Sequence, residues 1–166
     1  MSDLFVDGAT RQLMCDGFVT RCALGYGGVT YSKAEGDGAT PMGIFPLRRI
    51  LYRADRIERP TSELPIAEIK PTDGWCDDPN SPDYNTAVTL PHPARHEQLW
   101  RADRLYDLLV VIGYNDAPPV KGLGSAIFLH IAAVGYAPTE GCIALAPQDL
   151  MDIVTQLTPQ SKIRIG

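Results

Sequence analysis

Long apolar runs and basic clusters are both missing from this chain. No apolar segment approaches the ~20 residues that a membrane-spanning helix needs, so membrane insertion is not expected. The longest basic stretch is Arg48-Arg49 and the formal net charge is −5, which argues against a nucleic-acid partner. The first residues also lack the basic-then-apolar pattern of a secretory signal. The chain as written is therefore expected to be cytoplasmic, and periplasmic if an export signal has been removed.

Cysteine and histidine are scarce, and their spacing does not predict a metal site. The four cysteines, Cys15, Cys22, Cys76 and Cys142, form no C-x2-C pair of the kind that binds zinc. A reducing compartment would keep them as thiols, and free cysteines are commonly buried. His92 and His96 are four residues apart but flank a proline, which disfavours a helical metal pair. No metal or other cofactor is predicted.

Glycine and proline, by contrast, are spread along the whole chain, with 15 and 14 copies in 166 residues. This distribution is typical of short strands joined by turns and predicts a mainly β (α+β) fold. Asp7-Gly8 and Asp16-Gly17 are hairpin dipeptides, which predict an opening meander over 4–6, 12–14 and 18–24. The length predicts a single domain over residues 1–166.

Further elements are predicted from apolar periodicity. Strands are expected at 44–51, 105–113, 125–132, 142–146 and 162–165. One helix is expected after Cys142, because Pro147 suits its first position and apolar residues between 150 and 157 share one face. The proline-rich stretch 52–93 predicts little regular structure beyond a short helix near 62–66, and its aromatic and acidic content favours an ordered covering loop. A short helical or turn segment is expected near 96–103.

The segment 126–150 carries the strongest chemical signal. It contains an apolar run ending in His130, a Gly/Pro turn, and Gly141-Cys142 opening a second apolar run. A cysteine with a histidine base is the minimum apparatus of thiol acyl transfer, because thiolate is the reactive form and imidazole titrates near neutral pH. The amides of Gly141 and Cys142 are the predicted oxyanion donors. On spacing alone, a core histidine without a catalytic role stays open as the alternative.

The motifs around these residues resemble the YkuD-type L,D-transpeptidase catalytic domain. The resemblance is carried by His130, Gly135, TEGCIAL at 139–145, GSAIF at 124–128 and GDGATPMGIF at 36–45. It implies a β-sandwich-like fold with mixed sheets, and peptidoglycan stem peptides or muropeptides as the partner. Within the motif, Thr139 stands at the hydroxyl position and Cys142 at the nucleophile.

Two positions depart from the family motif, in which a histidine and a gap precede Ser/Thr-His-Gly-Cys, an apolar residue and Asn or Arg. Glu140 occupies the motif position of the second histidine, and Ala144 occupies that of the Asn or Arg. The gap after His130 is also shorter than in the motif. The nucleophile, the base and the glycine are kept, so the departures bear on substrate recognition. Glu140 is predicted to meet the free amine of a diaminopimelate side chain, with a solvated carboxylate as the alternative.

Four further side chains are predicted to contact the substrate, namely Trp75, Tyr84, Tyr114 and Lys121. The three aromatic residues would line a peptide groove, or else serve only in packing. The lysine would hold a substrate carboxylate, or else be solvated on its Gly/Pro loop.

The resemblance implies that Cys142 attacks the carbonyl of an L,D peptide bond and forms a thioester, with His130 as the base. Water as the acceptor gives L,D-carboxypeptidase activity, which is slightly favoured for a cytoplasmic chain. An amine as the acceptor gives L,D-transpeptidase activity, which is expected for an exported one. The sequence predicts no oligomeric state.

Two other classes of function stay open. The changes at Glu140 and Ala144 suggest an inactive muropeptide-binding module. A metal-dependent hydrolase built on His92, His96 and His130 is the less favoured alternative.

Overall fold

The chain folds into short strands and one α-helix in the computed structural model, which describes residues 2–166. The strands are β1 (Leu4–Asp7), β2 (Gln12–Cys15), β3 (Phe18–Ala23), β4 (Val29–Thr30), β5 (Thr40–Pro41), β6 (Gly43–Tyr52), β7 (Ile66–Glu68), β8 (Asp73–Cys76), β9 (Ala87–Thr89), β10 (His96–Gln98), β11 (Leu108–Ile112), β12 (Phe128–Ile131), β13 (Ile143–Leu145) and β14 (Lys162–Ile165). The helix, α1, spans Pro147–Val154. Within residues 2–166, no helix has the length and apolarity needed to cross a membrane.

Most strands belong to one mixed sheet in the order β11-β12-β13-β3-β2-β1-β14-β6-β7. β11 also pairs with β6, which joins the eight strands from β11 to β6 into a ring. β6 makes this possible because its first half pairs with β14 and its second half with β11. Such closure removes the exposed edges that an open sheet would present. Two small sheets, β10-β8-β9 and β4-β5, lie outside the ring.

The predicted fold class is confirmed. The opening meander forms as β1-β2-β3, with antiparallel pairing across both Asp-Gly turns. The five later strand predictions correspond to β6, β11, β12, β13 and β14. The helix begins at Pro147 as expected, and it buries Leu150, Ile153 and Val154.

Two predictions in the proline-containing part of the chain are wrong. The 62–66 stretch forms no helix but a bend at 63–64 followed by the start of β7, and the 96–103 stretch opens with strand β10. The 52–93 stretch also holds more regular structure than predicted, since β7, β8 and β9 lie within it. Strands of three or four residues fit between successive prolines, so proline sets their ends without preventing them.

Two hydrophobic clusters lie on opposite faces of β11 and β12. Alternate residues of a strand point to opposite faces. Leu108 and Val110 accordingly belong to the main core, which also takes the buried face of α1. Leu109 and Phe128 belong to a second cluster, which includes Trp75 of β8. The 52–93 stretch is therefore ordered, as expected, and helps to cover this second face.

We expect Leu129→Ala to lower the free energy of unfolding by about 2–5 kcal/mol, because it would leave a cavity in the main core. Leu129 is 0% exposed in β12. Urea denaturation measures the loss. The control is Val19→Ala in β3, where the side chain is 52% exposed, and its expected effect is below ~0.5 kcal/mol. Equal losses in the two variants would contradict the position of this core.

Candidate active site

The two reactive side chains of the sequence come from neighbouring strands. β12 and β13 pair in parallel, with Leu129 opposite Ile143 and His130 opposite Ala144. Leu129 and Ile143 are buried in the main core. Because strand side chains alternate, His130 and Cys142 both project to the other face. The sequence prediction that these two residues share one edge of the sheet is consistent with this pairing.

The Cys142 thiol is held by two backbone groups. Sγ donates to the carbonyl oxygen of Ala126 at 3.2 Å and accepts from the amide of Phe128 at 3.4 Å. The residue is 8% exposed. Burial, followed by the Glu97 carboxylate, raises the pKa of the thiol to about 12, and Glu140 acts in the same direction. At neutral pH the Cys142 side chain is therefore a protonated thiol.

The His130 ring has a fixed tautomer. Nδ1 lies 2.8 Å from the carbonyl oxygen of Ile131, which can only accept, so Nδ1 carries a proton. In the neutral ring Nε2 then carries a lone pair that can accept a proton. Burial lowers the pKa of His130 to about 4, so the imidazole is neutral and able to accept a proton at any pH well above 4. The resting pair is a neutral thiol and a neutral imidazole.

A side-chain hydroxyl shapes the turn before Cys142. Thr139 Oγ1 accepts from the amide of Gly141 at 3.2 Å and donates to the carbonyl oxygen of Cys142 at 2.7 Å. Gly141 has a φ of 136°, and a Cβ there would lie 2.8 Å from the carbonyl oxygen of Ala39. Glycine is therefore required at this position. The expectation that the Gly141 amide is free for an oxyanion is not met, because Thr139 occupies it.

A cleft of about 520 Å³ opens beside these residues. Cys142, His130, Thr139 and Glu140 all line it. The other charged side chains of the lining are Glu35, Asp77, Glu97, Arg95 and Arg101. The site is thus a polar cleft of small-ligand size with the thiol and the imidazole in its wall.

The family of this chain follows from comparison with models of known protein families. Residues 3–165 match the model of the YkuD L,D-transpeptidase catalytic domain, which is nearly the whole chain. The chain belongs to the YkuD family. The matching model describes the catalytic domain of L,D-transpeptidases.

Solved structures agree with a YkuD fold. Two structures of the helical cell shape determining protein Pgp2 from Campylobacter jejuni match, one of them the K307A mutant. The TM-scores are 0.51 for the mutant and 0.50 for the other structure, at sequence identities of 16% and 14%. Each match covers 99% of this chain and 46% of Pgp2, so the chain spans under half the length of these structures. A search of curated proteins gives no match.

Four residues predicted to bind substrate in this YkuD domain lie away from the cleft lining. Trp75 is buried and its Nε1 donates to Asn85 Oδ1 at 2.9 Å. The Tyr84 hydroxyl donates to Glu35 at 2.7 Å, and the Tyr114 hydroxyl donates to a backbone carbonyl at 2.5 Å. Lys121 is exposed on its loop. None of the four is part of the cleft lining, and substrate contact at these positions stays a prediction.

Sequence reasoning missed a pair in the cleft wall, the buried Tyr106 and the half-buried Glu97. The Tyr106 hydroxyl donates to the Glu97 carboxylate, and the Tyr106 ring meets the His130 ring edge-on at 5.2 Å. Burial raises the pKa of Glu97 to about 7. The pair could not be found from a motif, because Glu97 comes from β10, where a helix or turn was expected.

The histidines proposed for a metal site are engaged elsewhere. His92 Nε2 lies 2.9 Å from Asp83 Oδ2, and His96 Nδ1 lies 2.8 Å from the carbonyl oxygen of Ala94. Among residues 2–166, no group of three or more His, Cys, Asp or Glu side chains is arranged to hold a metal. The arrangement gives the metal-hydrolase alternative no ligand set.

We expect Thr139→Val to lower the free energy of unfolding by about 1–3 kcal/mol, because the Gly141 amide and the Cys142 carbonyl would lose their partner. The matched variant is Thr139→Ser, which keeps the hydroxyl and is expected to stay close to the parent. Guanidinium denaturation of the three proteins measures the difference. If valine and serine proved equally stable, the turn would not depend on this hydroxyl.

Proposed function

We propose that this protein is a cysteine-dependent acyl-transfer enzyme that cleaves an L,D peptide bond in peptidoglycan stem peptides. The main support is the common position of Cys142 and His130 in one cleft, with the imidazole held so that Nε2 can accept a proton. YkuD membership supports the substrate class.

The first chemical step forms a thioester. Sγ of Cys142 attacks the substrate carbonyl carbon while its proton passes to Nε2 of His130. The pKa of about 12 for the thiol and about 4 for the imidazole disfavours a thiolate–imidazolium pair before attack. The proton is therefore transferred during attack. The imidazolium then gives this proton to the leaving amine, and the D-amino acid departs.

The oxyanion of this step needs hydrogen-bond donors. We assign the Cys142 amide as the first donor, since the oxyanion forms next to its own backbone. The Gly141 amide becomes a second donor only when it leaves the Thr139 hydroxyl, from which it is separated by 3.2 Å. Substrate binding would have to replace that contact.

The acceptor decides the second half of the reaction. Water attacking the thioester, with His130 taking its proton, releases a shortened stem and gives L,D-carboxypeptidase activity. An amine from another stem gives a cross-link and L,D-transpeptidase activity. We propose hydrolysis if the protein works on free muropeptides inside the cell, and cross-linking if it is exported to the wall.

Glu140 is assigned to substrate recognition and not to activation of the nucleophile. Its carboxylate opposes thiolate formation at Cys142, which is the wrong direction for an activating group. It is exposed and lines the cleft. An ammonium group of the substrate, such as the side-chain amine of diaminopimelate, would complement it.

For defined muropeptides, we expect Cys142→Ala to abolish all mass changes, because it removes the nucleophile. His130→Gln is expected to slow turnover by ~10²–10⁴-fold, the usual contribution of a positioned base. Mass spectrometry reads the products: a stem shorter by one D-residue means hydrolysis, and a dimer means cross-linking. Cys22→Ala, at a buried thiol of the main core, is the matched control and keeps activity.

Other outcomes of this experiment would replace the proposal. If no stem peptide changes mass with the parent protein, while muropeptides still bind, the protein is a binding module. Turnover that persists in Cys142→Ala and stops in EDTA would instead indicate a metal-dependent hydrolase.

Glu140→Gln is expected to raise KM about 2- to 5-fold for an amine-bearing stem peptide, the effect of one exposed ion pair. The same peptide with its side-chain amine acetylated is the control, and its KM should not change. Steady-state kinetics of both peptides with both proteins gives the comparison. If the substitution changed KM equally for the two peptides, Glu140 would not contact the ammonium group.

A further inference from the structure

A buried amide joins three segments beside the cleft. Asn85 is 4% exposed and has a left-handed backbone, with a φ of 57°. Its Nδ2 donates to the carbonyl oxygens of Tyr114 at 3.0 Å and Asn115 at 2.8 Å. Its Oδ1 accepts from Trp75 Nε1 at 2.9 Å and from the amide of Ala126 at 3.0 Å. All four hydrogen-bonding positions of the side chain are used, which fixes its orientation.

One of these contacts holds a strained peptide. Ala126 has a φ of 54°, a conformation that alanine adopts only when its surroundings impose it. Its amide is bound by Asn85, and its carbonyl oxygen accepts the Cys142 thiol at 3.2 Å. Two residues earlier, the amide of Gly124 donates to the Tyr84 hydroxyl at 2.9 Å. The Tyr84-Asn85 pair thus fastens the chain on both sides of residue 125.

The second partner of the thiol is tied to the same amide. The Trp75 ring, whose Nε1 is held by Asn85, meets the Phe128 ring edge-on at 5.1 Å. The Phe128 amide is the group that donates to Cys142 Sγ. Both backbone groups that touch the sulfur are therefore supported from Asn85, one through a hydrogen bond and one through ring packing.

We propose that Asn85 is a positioning residue for the nucleophile: it holds Ala126 in the left-handed conformation, so that the Ala126 carbonyl holds the Cys142 thiol hydrogen until substrate arrives. The proposal rests on the assigned role of Cys142. At rest the hydrogen points to this carbonyl and not to His130. During attack it leaves the carbonyl for Nε2 of His130, and no other reactant is needed.

This role separates Asn85 from a residue that only stabilises the fold. The two contacts on the sulfur act in opposite directions: the Phe128 amide lowers the pKa of the thiol, whereas the Ala126 carbonyl accepts the thiol hydrogen and favours the protonated sulfur. Asn85 holds the carbonyl segment by a direct hydrogen bond and reaches the amide only through ring packing. Its loss therefore releases the carbonyl first and makes the sulfur more reactive toward a simple electrophile. The same release removes the alignment that the acyl-transfer step needs. Loss of positioning is therefore expected to speed alkylation of Cys142 and to slow acyl transfer.

The test is the rate of iodoacetamide alkylation at each cysteine, read by peptide mass spectrometry at pH 8. Asn85→Ala is expected to accelerate alkylation of Cys142 roughly 10-fold, the effect of one lost hydrogen bond on the thiol equilibrium. Cys15 and Cys22 are buried elsewhere and serve as internal references, with unchanged rates expected. Ser161→Ala loses a buried hydrogen bond far along the chain and is the stability control.

Turnover of muropeptides is measured on the same proteins. Asn85→Ala is expected to lower kcat at least ~10-fold with KM nearly unchanged, the pattern of a lost transition-state alignment. If Asn85→Ala does not fold, Ala126→Gly decides the question. It keeps every side chain of the network but frees the backbone that aims the carbonyl, so faster alkylation at Cys142 alone supports the proposal.

An unchanged Cys142 rate in the folded variant overturns the proposal, and so does an equal rise at all four cysteines. The alkylation measurement needs no peptidoglycan substrate. It therefore remains decisive if the parent protein turns over no muropeptide, which would count against the proposed function alone. If the parent protein cleaves muropeptides and Asn85→Ala changes neither Cys142 alkylation nor turnover, the result would count against the positioning role alone.

Discussion

The parallel pairing of β12 with β13 is the constraint on which the site depends. Leu129 and Ile143 face each other in the main core, and their burial fixes the register of the two strands. A slip of either strand by one residue would turn the apolar side chain of that strand out of the core. The same register forces His130 and Cys142 onto the opposite face, so the packing that stabilises the fold also brings the two reactive residues to one surface.

The face that carries His130 and Cys142 is shielded from solvent. The small sheet β10-β8-β9, the loop between β8 and β9, and the chain around Tyr106 cover it. They contribute Trp75, Glu97 and the buried amide of Asn85. Low exposure there raises the pKa of the thiol and lowers that of the imidazole. The YkuD motif therefore works in an environment that disfavours charge on either member of the pair, and the chemistry we propose moves one proton between two neutral groups.

The sequence was most informative where local chemistry decides structure. Asp-Gly turns predicted the meander, Pro147 predicted the start of the helix, and the order of motifs around His130 and Cys142 predicted the family. It was least informative in 52–103, where strands of three or four residues leave too short a pattern to read. Glu97 and Asn85 acquire their positions only from tertiary pairing of that region, so no spacing in the sequence could have pointed to them.

The protonated state of Cys142 also bears on chemical durability. Peroxides and disulfides react with thiolates far faster than with thiols. A sulfur that is 8% exposed and bonded to a carbonyl oxygen presents little thiolate to either. If Cys142 has the role proposed for it, the protein would keep this thiol reduced through exposure to oxidants, and would need no reductant to restore it between substrates.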